Sequence, residues 1–410
     1  MNRAVIVVRT ANRPEILNRC VAAAVEGCGI AREAHWVVLD DSSPDHQLPN
    51  REIAQFWKGF GLRLTYVDKT VEEKIADSLP GATFRRFFAR LVARLSSCRS
   101  GRGRNLGLLT GLSLNPDMLF FVDDDMVHRH EGNCFLHWCA NIQRADSFVA
   151  APRKLGISDM TYLDRLVAVL NRDDWGQFVS DVAISADPES WYSPSNPLWK
   201  RGDDGSDGAP ATPNEAEILS GGLLALCGKG MQWLPFPSGY NEDVNWSFLQ
   251  STFHGTALLK VSGVHAQHLP PSVAHPKGEA IMAEVVGTAI TRAIRQIKPC
   301  GERSMSTLAD RLPDVLGVEL RREVFLFLDV ERAIHFRARM CTDDVHAGGT
   351  LLKIESTLVD VAERLKSVDT GQLAGEWLDD LATRRQMFLA LRRNERVQLQ
   401  ISRVLFDASV

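Results

Sequence analysis

The sequence predicts an α/β protein: a Rossmann-like, mostly parallel sheet flanked by helices, followed by an α-helical C-terminal region. Three observations lead there. A β-branched run, Ala4 to Val8, is followed by a helical period and a second apolar run, Trp36 to Leu39, which is the order of a βαβ unit. Two apolar runs end directly in aspartates, where a parallel sheet presents residues to a ligand. From about Glu279 onward, helical periods rich in Arg, Glu and Leu replace the strand signals.

The first strand, AVIVV, is a continuous apolar run, as expected for a strand covered on both faces. It ends in Arg9-Thr10-Ala11-Asn12-Arg13-Pro14, a polar turn with Pro near the first helical position. Glu15 to Val25 then carries Ile16, Leu17, Cys20, Val21 and Ala24 at helical spacing. The second strand, Trp36 to Leu39, ends in Asp40-Asp41-Ser42-Ser43-Pro44. Leu62 to Val67 reads as a third strand and Ala82 to Ser97 as a basic helical region. Met118 to Val122 runs straight into Asp123-Asp124-Asp125. Residues 201–214 (RGDDGSDGAPATPN) read as a loop, and Leu219 to Leu226 and Ala257 to Val261 as further strands. Glu279 to Ile297 and Leu351 to Leu365 read as long helices. The chain is thus expected to divide into residues 1–280 and 281–410. The second part would mediate oligomerisation or pack as a plain bundle.

With 410 residues, 45% apolar and 24% charged, the chain suits two or three domains, or one large domain with an appendage. Its formal charge of -4 argues against a nucleic-acid partner. No stretch approaches the ~18 apolar residues of a membrane span, and the apolar run at the amino terminus is too short for a signal sequence. A soluble, cytoplasmic protein with reduced thiols is expected. Cys134 and Cys139 lie near His128, His130 and His137, but their CxxxxC spacing departs from structural zinc patterns. The lack of a GxGxxG after the first strand leaves a dinucleotide or methyl-donor Rossmann site unsupported, and the lack of a GxxxxGK[ST] excludes a P-loop. The aspartate triplet follows a middle strand, unlike that of an aspartyl-phosphate phosphatase.

Three acidic clusters carry candidate chemistry. Asp40-Asp41 suits either a ribose or base edge or an ordinary strand-to-loop cap. In Asp123-Asp124-Asp125, crowded like charges raise one another's proton affinity unless a cation is present. Mg²⁺ or Mn²⁺ with a diphosphate resolves that cost; a solvated acidic loop is the other reading. Strand alternation points Asp123 and Asp125 to one side and Asp124 away. The third cluster, Gly239 to Trp246, holds Glu242-Asp243, either a helix start favoured by the macrodipole or a general base. Ser220-Gly221-Gly222 lets backbone approach a ligand, or marks a turn. His265 and His268 are candidate third metal ligands, with His265 preferred, or surface or core histidines. Trp175, Trp191, Trp199, Trp233 and Trp246 would stack on an acceptor or sit in the core.

The segments VIVVRTANRPEILNRC, VVLDDSS, RNLGL, FFVDDDM, SGGLLAL and YNEDVNWS occur in an order that resembles nucleotide-sugar glycosyltransferases of the GT-A fold. The likeness is to the family 2-like inverting group and spans about residues 1–280. It implies that Thr10 and its turn, with Arg13, approach the nucleotide, and that Asp40, beside Asp41, holds uracil or ribose. Arg104 and Asn105 would lie near the donor, with Asp123 and Asp124. Asp123 and Asp125 match a DxD motif, with Asp125 as the direct metal ligand and His265 or His268 assisting. Asp243, next to Glu242, would be the catalytic base, with Gly221, Gly222 and Trp246 on the acceptor side. The implied cofactor is Mn²⁺ or Mg²⁺. The implied donor is a nucleoside-diphosphate sugar, UDP first, and the acceptor a saccharide, lipid-linked or small molecule. In-line attack would invert the anomeric centre without a covalent intermediate. Two departures stand out: Arg9 occupies a position where the family often has Pro, and residues 201–214 and 281–410 have no counterpart. The helical region lacks the transmembrane helices of processive synthases, which implies a soluble, non-processive transferase, and it would cover the acceptor site or form a homo-oligomer contact. Two alternatives stay open. A sugar nucleotidyltransferase would need a Gly-rich loop after the first strand, where Arg9-Thr10-Ala11-Asn12 has no Gly. The other is a non-catalytic carbohydrate-binding protein of the same fold.

Overall fold

The computed structural model describes residues 3–92, 100–124, 126–128, 135–136, 139, 148–155, 166, 212–216, 219, 222–227, 233–268, 278–297, 305–340 and 345–408. The first half alternates β1 (Ala4–Thr10), α1 (Pro14–Gly27), α2 (Gly29–Glu33), β2 (His35–Asp40), α3 (Pro44–Gly59) and β3 (Arg63–Val67). Next come α4 (Lys69–Ser78), α5 (Gly81–Leu91), α6 (Ser100–Ser113), β4 (Met118–Asp123), β5 (Met126–His128) and β6 (Phe148–Leu155). β7 (Thr212–Glu215), β8 (Leu223–Cys227), α7 (Glu242–His254) and β9 (Ala257–His268) complete the α/β part. Five helices follow: α8 (Gly278–Ile297), α9 (Met305–Met340), α10 (Val345–Lys366), α11 (Thr370–Arg393) and α12 (Glu395–Asp407).

Among the described residues the strands form one sheet in the order β3-β2-β1-β4-β8-β6-β9-β5, with β7 paired to β9. The half that follows the βαβ pattern is parallel from β3 through β4. β8 enters antiparallel between β4 and β6, and β6 and β9 are again parallel. In this register Thr10 stands opposite Asp40, and Arg9 opposite Asp123. The carboxyl ends of β1, β2 and β4 therefore finish level, which sets up the site.

The predicted loop at 201–214 is corrected at its end: Thr212 to Asn214 belong to β7. Among the described residues β7 pairs only with β9, which explains how Pro213 is tolerated, since a strand at a sheet edge does not need every amide. Residues 201–211 lie outside the described residues. β9 runs on to His268, well past the predicted Val261.

Alternation divides the sheet's side chains between two cores. Val5, Val7, Val37, Leu39, Leu119 and Phe121 face one, and Ile6, Val8, Trp36, Val38, Phe120 and Val122 the other. α1 and α3 cover the second face through Leu17, Cys20, Val21 and Ala54. The first face is covered by α4 to α6 together with the C-terminal helices, in a single core that includes Trp377, Leu391, Ile401 and Leu405. The pattern change near residue 280 coincides with the start of α8, yet the core runs straight across it. Each Leu or Ile fully buried along this seam contributes about 1.5–3 kcal/mol. Polar ties reinforce it: Thr65 Oγ1 donates to the Leu405 carbonyl (3.3 Å) and Arg384 Nη1 to the Leu91 carbonyl (3.1 Å). At Gly287 of α8, a Cβ would fall 2.7 Å from the Tyr240 carbonyl oxygen, so that glycine admits the turn leading into α7.

Cys20, Cys28, Cys139 and Cys227 are buried and form no disulfide among the described residues, and Cys134 lies outside them. Among the described residues no helix is long and apolar enough to cross a membrane.

His35, at the start of β2, shares a 2.8 Å hydrogen bond with Thr65 Oγ1 and lies edge-on to Phe406 of α12. Burial, and then the neighbouring Arg63, lower its pKa to about 4. The neutral ring is thus favoured in the folded state, against about 6.5 when unfolded. Its stabilising contribution is complete above pH 6.5 and is lost as the pH falls from 6.5 towards 4. Thermal midpoints at pH 7.5 and 5 should fall further apart in the wild type than in His35→Gln; equal losses would assign the acid sensitivity to other groups.

Candidate functional site

A cavity of about 280 Å³ opens at the level carboxyl ends of β1, β2 and β4. Its walls come from Arg9, Thr10, Ala11 and Arg13, from Leu39 to Asp41, and from Val67 and Glu72. Gly103, Arg104 and Leu106 of α6, Asp123, Asp124 and Glu242 complete it.

On the β2 side, Asp40 is buried and held from two directions. Its Oδ1 accepts the Ser42 amide at 2.8 Å, and its Oδ2 accepts the Tyr66 hydroxyl. Burial, then that bond to Asp40, push the Tyr66 pKa up, so the hydroxyl remains a donor. The two loops at this edge are knitted by Asn12, which takes a left-handed conformation (φ 57°) that Asn tolerates. Its amide donates to Ser42 Oγ (2.7 Å), and its Oδ1 accepts the Ser43 amide (2.8 Å).

On the β4 side, strand geometry ends at Asp123 and Asp124 lies in the turn that follows. Alternation no longer governs Asp124, so the expectation that it points away is corrected. It is fully buried in the cavity wall, accepting Thr10 Oγ1 at 2.7 Å and pairing with Arg13 Nη2 at 2.5 Å. Thr10 and Arg13 thus reach the site by holding Asp124. Asp123 stays 25% exposed in the cavity, its amide donating to the Gly222 carbonyl at 2.7 Å. Asp125 lies outside the described residues, as do Gly221, Trp175, Trp191 and Trp199.

Arg104 joins the two acidic elements. It is 4% exposed on α6, with Nε donating to Glu242 Oε1 (2.9 Å), Nη2 donating to Asp123 (3.3 Å), and its guanidinium over the Phe236 ring. Burial alone would disfavour its charge, but Asp123, Glu242 and Asp243 outweigh that and raise its pKa. α7 opens after Asn241, another left-handed Asn (φ 59°), with both acids in its first turn. Glu242 is buried against Arg104 and lines the cavity. Asp243 is half-buried, its Oδ1 accepting the Val244 amide (2.8 Å), and is not among the lining residues.

Two expected ligand contacts are corrected. Asn105 is fully buried and both ends of its amide bridge the Phe236 backbone, Nδ2 to the carbonyl (2.9 Å) and Oδ1 to the amide (2.7 Å). It pins the segment before α7 instead of meeting a donor. Trp246 is fully buried, stacked on Phe236 at 4.5 Å, with Nε1 donating to the Leu234 carbonyl. Trp233 is a core residue beside it. An indole with both faces covered has no surface left for an acceptor.

His265 and His268 both lie in β9, and the β5–β9 register sets His268 opposite Met126, the residue after Asp125. Among the described residues no group of three His, Cys, Asp or Glu is close enough to hold a metal ion. Arg9 and Glu72 are site residues that sequence reasoning missed. A cation closing an otherwise apolar strand was a signal for Arg9; Glu72, one polar residue in a solvated helix, gave none.

No protein-family model matches the chain, and no curated protein matches it. Among solved structures it is similar to the mannosyltransferase PcManGT of Pyrobaculum calidifontis in complex with GDP-Man and Mn²⁺. That alignment has 13% identity and a TM-score of 0.37, covering 95% of this chain and 87% of that one. It is similar to residues 1–349 of TarS of S. aureus at 12% identity and TM-score 0.39, covering 95% and 91%. For glucosyl-3-phosphoglycerate synthase of Mycobacterium tuberculosis in complex with Mn²⁺, UDP and glucosyl-3-phosphoglycerate, the identity is 13% and the TM-score 0.35, covering 72% and 80%.

Proposed function

We propose that the chain is a metal-dependent, inverting GT-A glycosyltransferase that moves a sugar from a nucleoside-diphosphate sugar, UDP-sugars first, to an acceptor hydroxyl. The observation that carries this reading is the cavity that holds an oriented Asp40 at one end and Asp123 at the other. A fixed, acceptor-only carboxylate suits a ribose hydroxyl or a base N–H. The cavity as a whole suits a hard cation, since six carboxylates face three arginines among its lining residues. With Asp124 taken up by Thr10 and Arg13, Asp123 is the ligand on offer, with Asp125 as its DxD partner. The register opposite Met126 favours His268 over His265 as an assisting ligand. Mn²⁺ or Mg²⁺, when bound, would offset the charge of the departing diphosphate.

The chain's own groups have distinct parts in this mechanism. Arg104 keeps Asp123 and Glu242 at fixed separation across the cavity. Glu242, committed to that arginine, positions; Asp243 takes the proton from the acceptor hydroxyl. Gly221 and Gly222 offer backbone to the acceptor, a saccharide, lipid-linked or small molecule. A cytoplasmic location and self-association through the C-terminal helices belong to the same reading.

Calorimetric titration of UDP with and without Mn²⁺ tests it. Binding should require the metal and weaken in Asp123→Ala and Asp125→Ala by more than the ten- to hundred-fold that is typical of changes one shell further out. Silence from UDP, GDP and dTDP alike would sink the transferase reading and promote a carbohydrate-binding protein of the same fold.

A further inference from the structure

Arg9, the last residue but one of β1, is half-buried in the cavity wall, between Leu39 of β2 and Asp123 of β4 in register. The other two arginines of the wall are committed, Arg13 to Asp124 and Arg104 to Asp123 and Glu242. Among the described residues, no side chain hydrogen-bonds or ion-pairs with Arg9. Its path depends on Gly103 of α6: a Cβ there would lie 2.5 Å from Arg9 Nε and 3.2 Å from its Cζ. The glycine is thus a clearance under the guanidinium, inside a helix where glycine is otherwise unfavourable.

We propose that Arg9, passing over Gly103, binds a phosphoryl group of the ligand midway between Asp40 and Asp123. A cavity rich in carboxylate repels a polyanion, so an arginine in its wall that no described side chain pairs with is the chain's own means of admitting one. The guanidinium fork matches two phosphate oxygens at once, which an ammonium cannot do. The phosphoryl group comes from the diphosphate of a nucleotide donor or from a phosphate on the acceptor. The donor version rests on the function proposed above; the anion site itself does not.

The test is calorimetry on the whole chain with inorganic pyrophosphate, without metal, and with UDP and uridine in the presence of Mn²⁺. Arg9→Gln should weaken pyrophosphate and UDP by about ten- to hundred-fold while uridine is unchanged. Arg9→Lys should fall between. Gly103→Ala should weaken pyrophosphate as Arg9→Gln does, yet melt no earlier, because the atoms displaced are the far end of a flexible side chain and Ala favours the helix. Weakened pyrophosphate with intact UDP supports the site and assigns its anion to the acceptor. Pyrophosphate that does not bind, binding indifferent to Arg9→Gln or Gly103→Ala, or uridine lost in parallel with UDP would each overturn the proposal. A wild type that binds pyrophosphate through Arg9 but ignores nucleotides with Mn²⁺ would sink the transferase reading alone.

Discussion

Arg104→Met should destabilise the protein by about 3–5 kcal/mol, the range for removing one partner of a buried ion pair. The guanidinium is 4% exposed and meets Glu242 at 2.9 Å and Asp123 at 3.3 Å, while Glu242 is itself only 5% exposed. Without the arginine, Glu242 stays buried as an anion at a Coulombic cost or takes up a proton. Either way the start of α7 loses this tie to α6, and the proposed nucleotide binding should go with it. Arg104→Met/Glu242→Gln removes both charges and should regain about 1–3 kcal/mol over the single variant, a coupling expected of groups in direct contact. Urea denaturation of the wild type, Arg104→Met, Glu242→Gln and the double variant measures this. An Arg104→Met protein within about 1 kcal/mol of wild type would mean that the pair behaves as a surface one.

Trp246→Ala should cost a further large amount, about 3–5 kcal/mol, because it empties a packed core position. The ring is fully buried and lies 18° from parallel to Phe236, and its N–H satisfies the Leu234 carbonyl at 2.7 Å. Trp246→Phe keeps an apolar ring but leaves that carbonyl unpaired, for a loss of about 1–3 kcal/mol. Saturation by any acceptor should be unchanged in the folded fraction of Trp246→Phe. An unchanged melting temperature with a raised acceptor KM would return Trp246 to the ligand surface.

The two tryptophan contexts show where sequence reading stops. YNEDVNWS is equally compatible with an indole on the acceptor and an indole against Phe236, since the partner lies ten residues upstream on a segment whose course is set by Asn105 of α6. Asn105 was misjudged for the same reason: its amide looks available until Phe236 is folded against it. Asp124 was misjudged differently. Alternation holds only while the strand lasts, and the strand ends one residue earlier. The position of Asp40, by contrast, was legible: it ends β2 and lines the cavity, as expected of a residue at the carboxyl end of a parallel strand.

The amino-acid order was sufficient for whatever depends on near neighbours: the βαβ start, the level acidic strand ends, the change to helices near residue 280 and the acids opening α7. Those features arise from periodicity, turn chemistry and dipoles, whose range is a few residues. Long-range packing settled the rest. It joined residues 281–410 to the sheet's own core, drew Arg104 between Asp123 and Glu242 across 138 residues of chain, and let Arg9 pass over Gly103. Such contacts form between segments that carry no mark of each other, so their charge balance and clearances exist only once the chain has closed on itself.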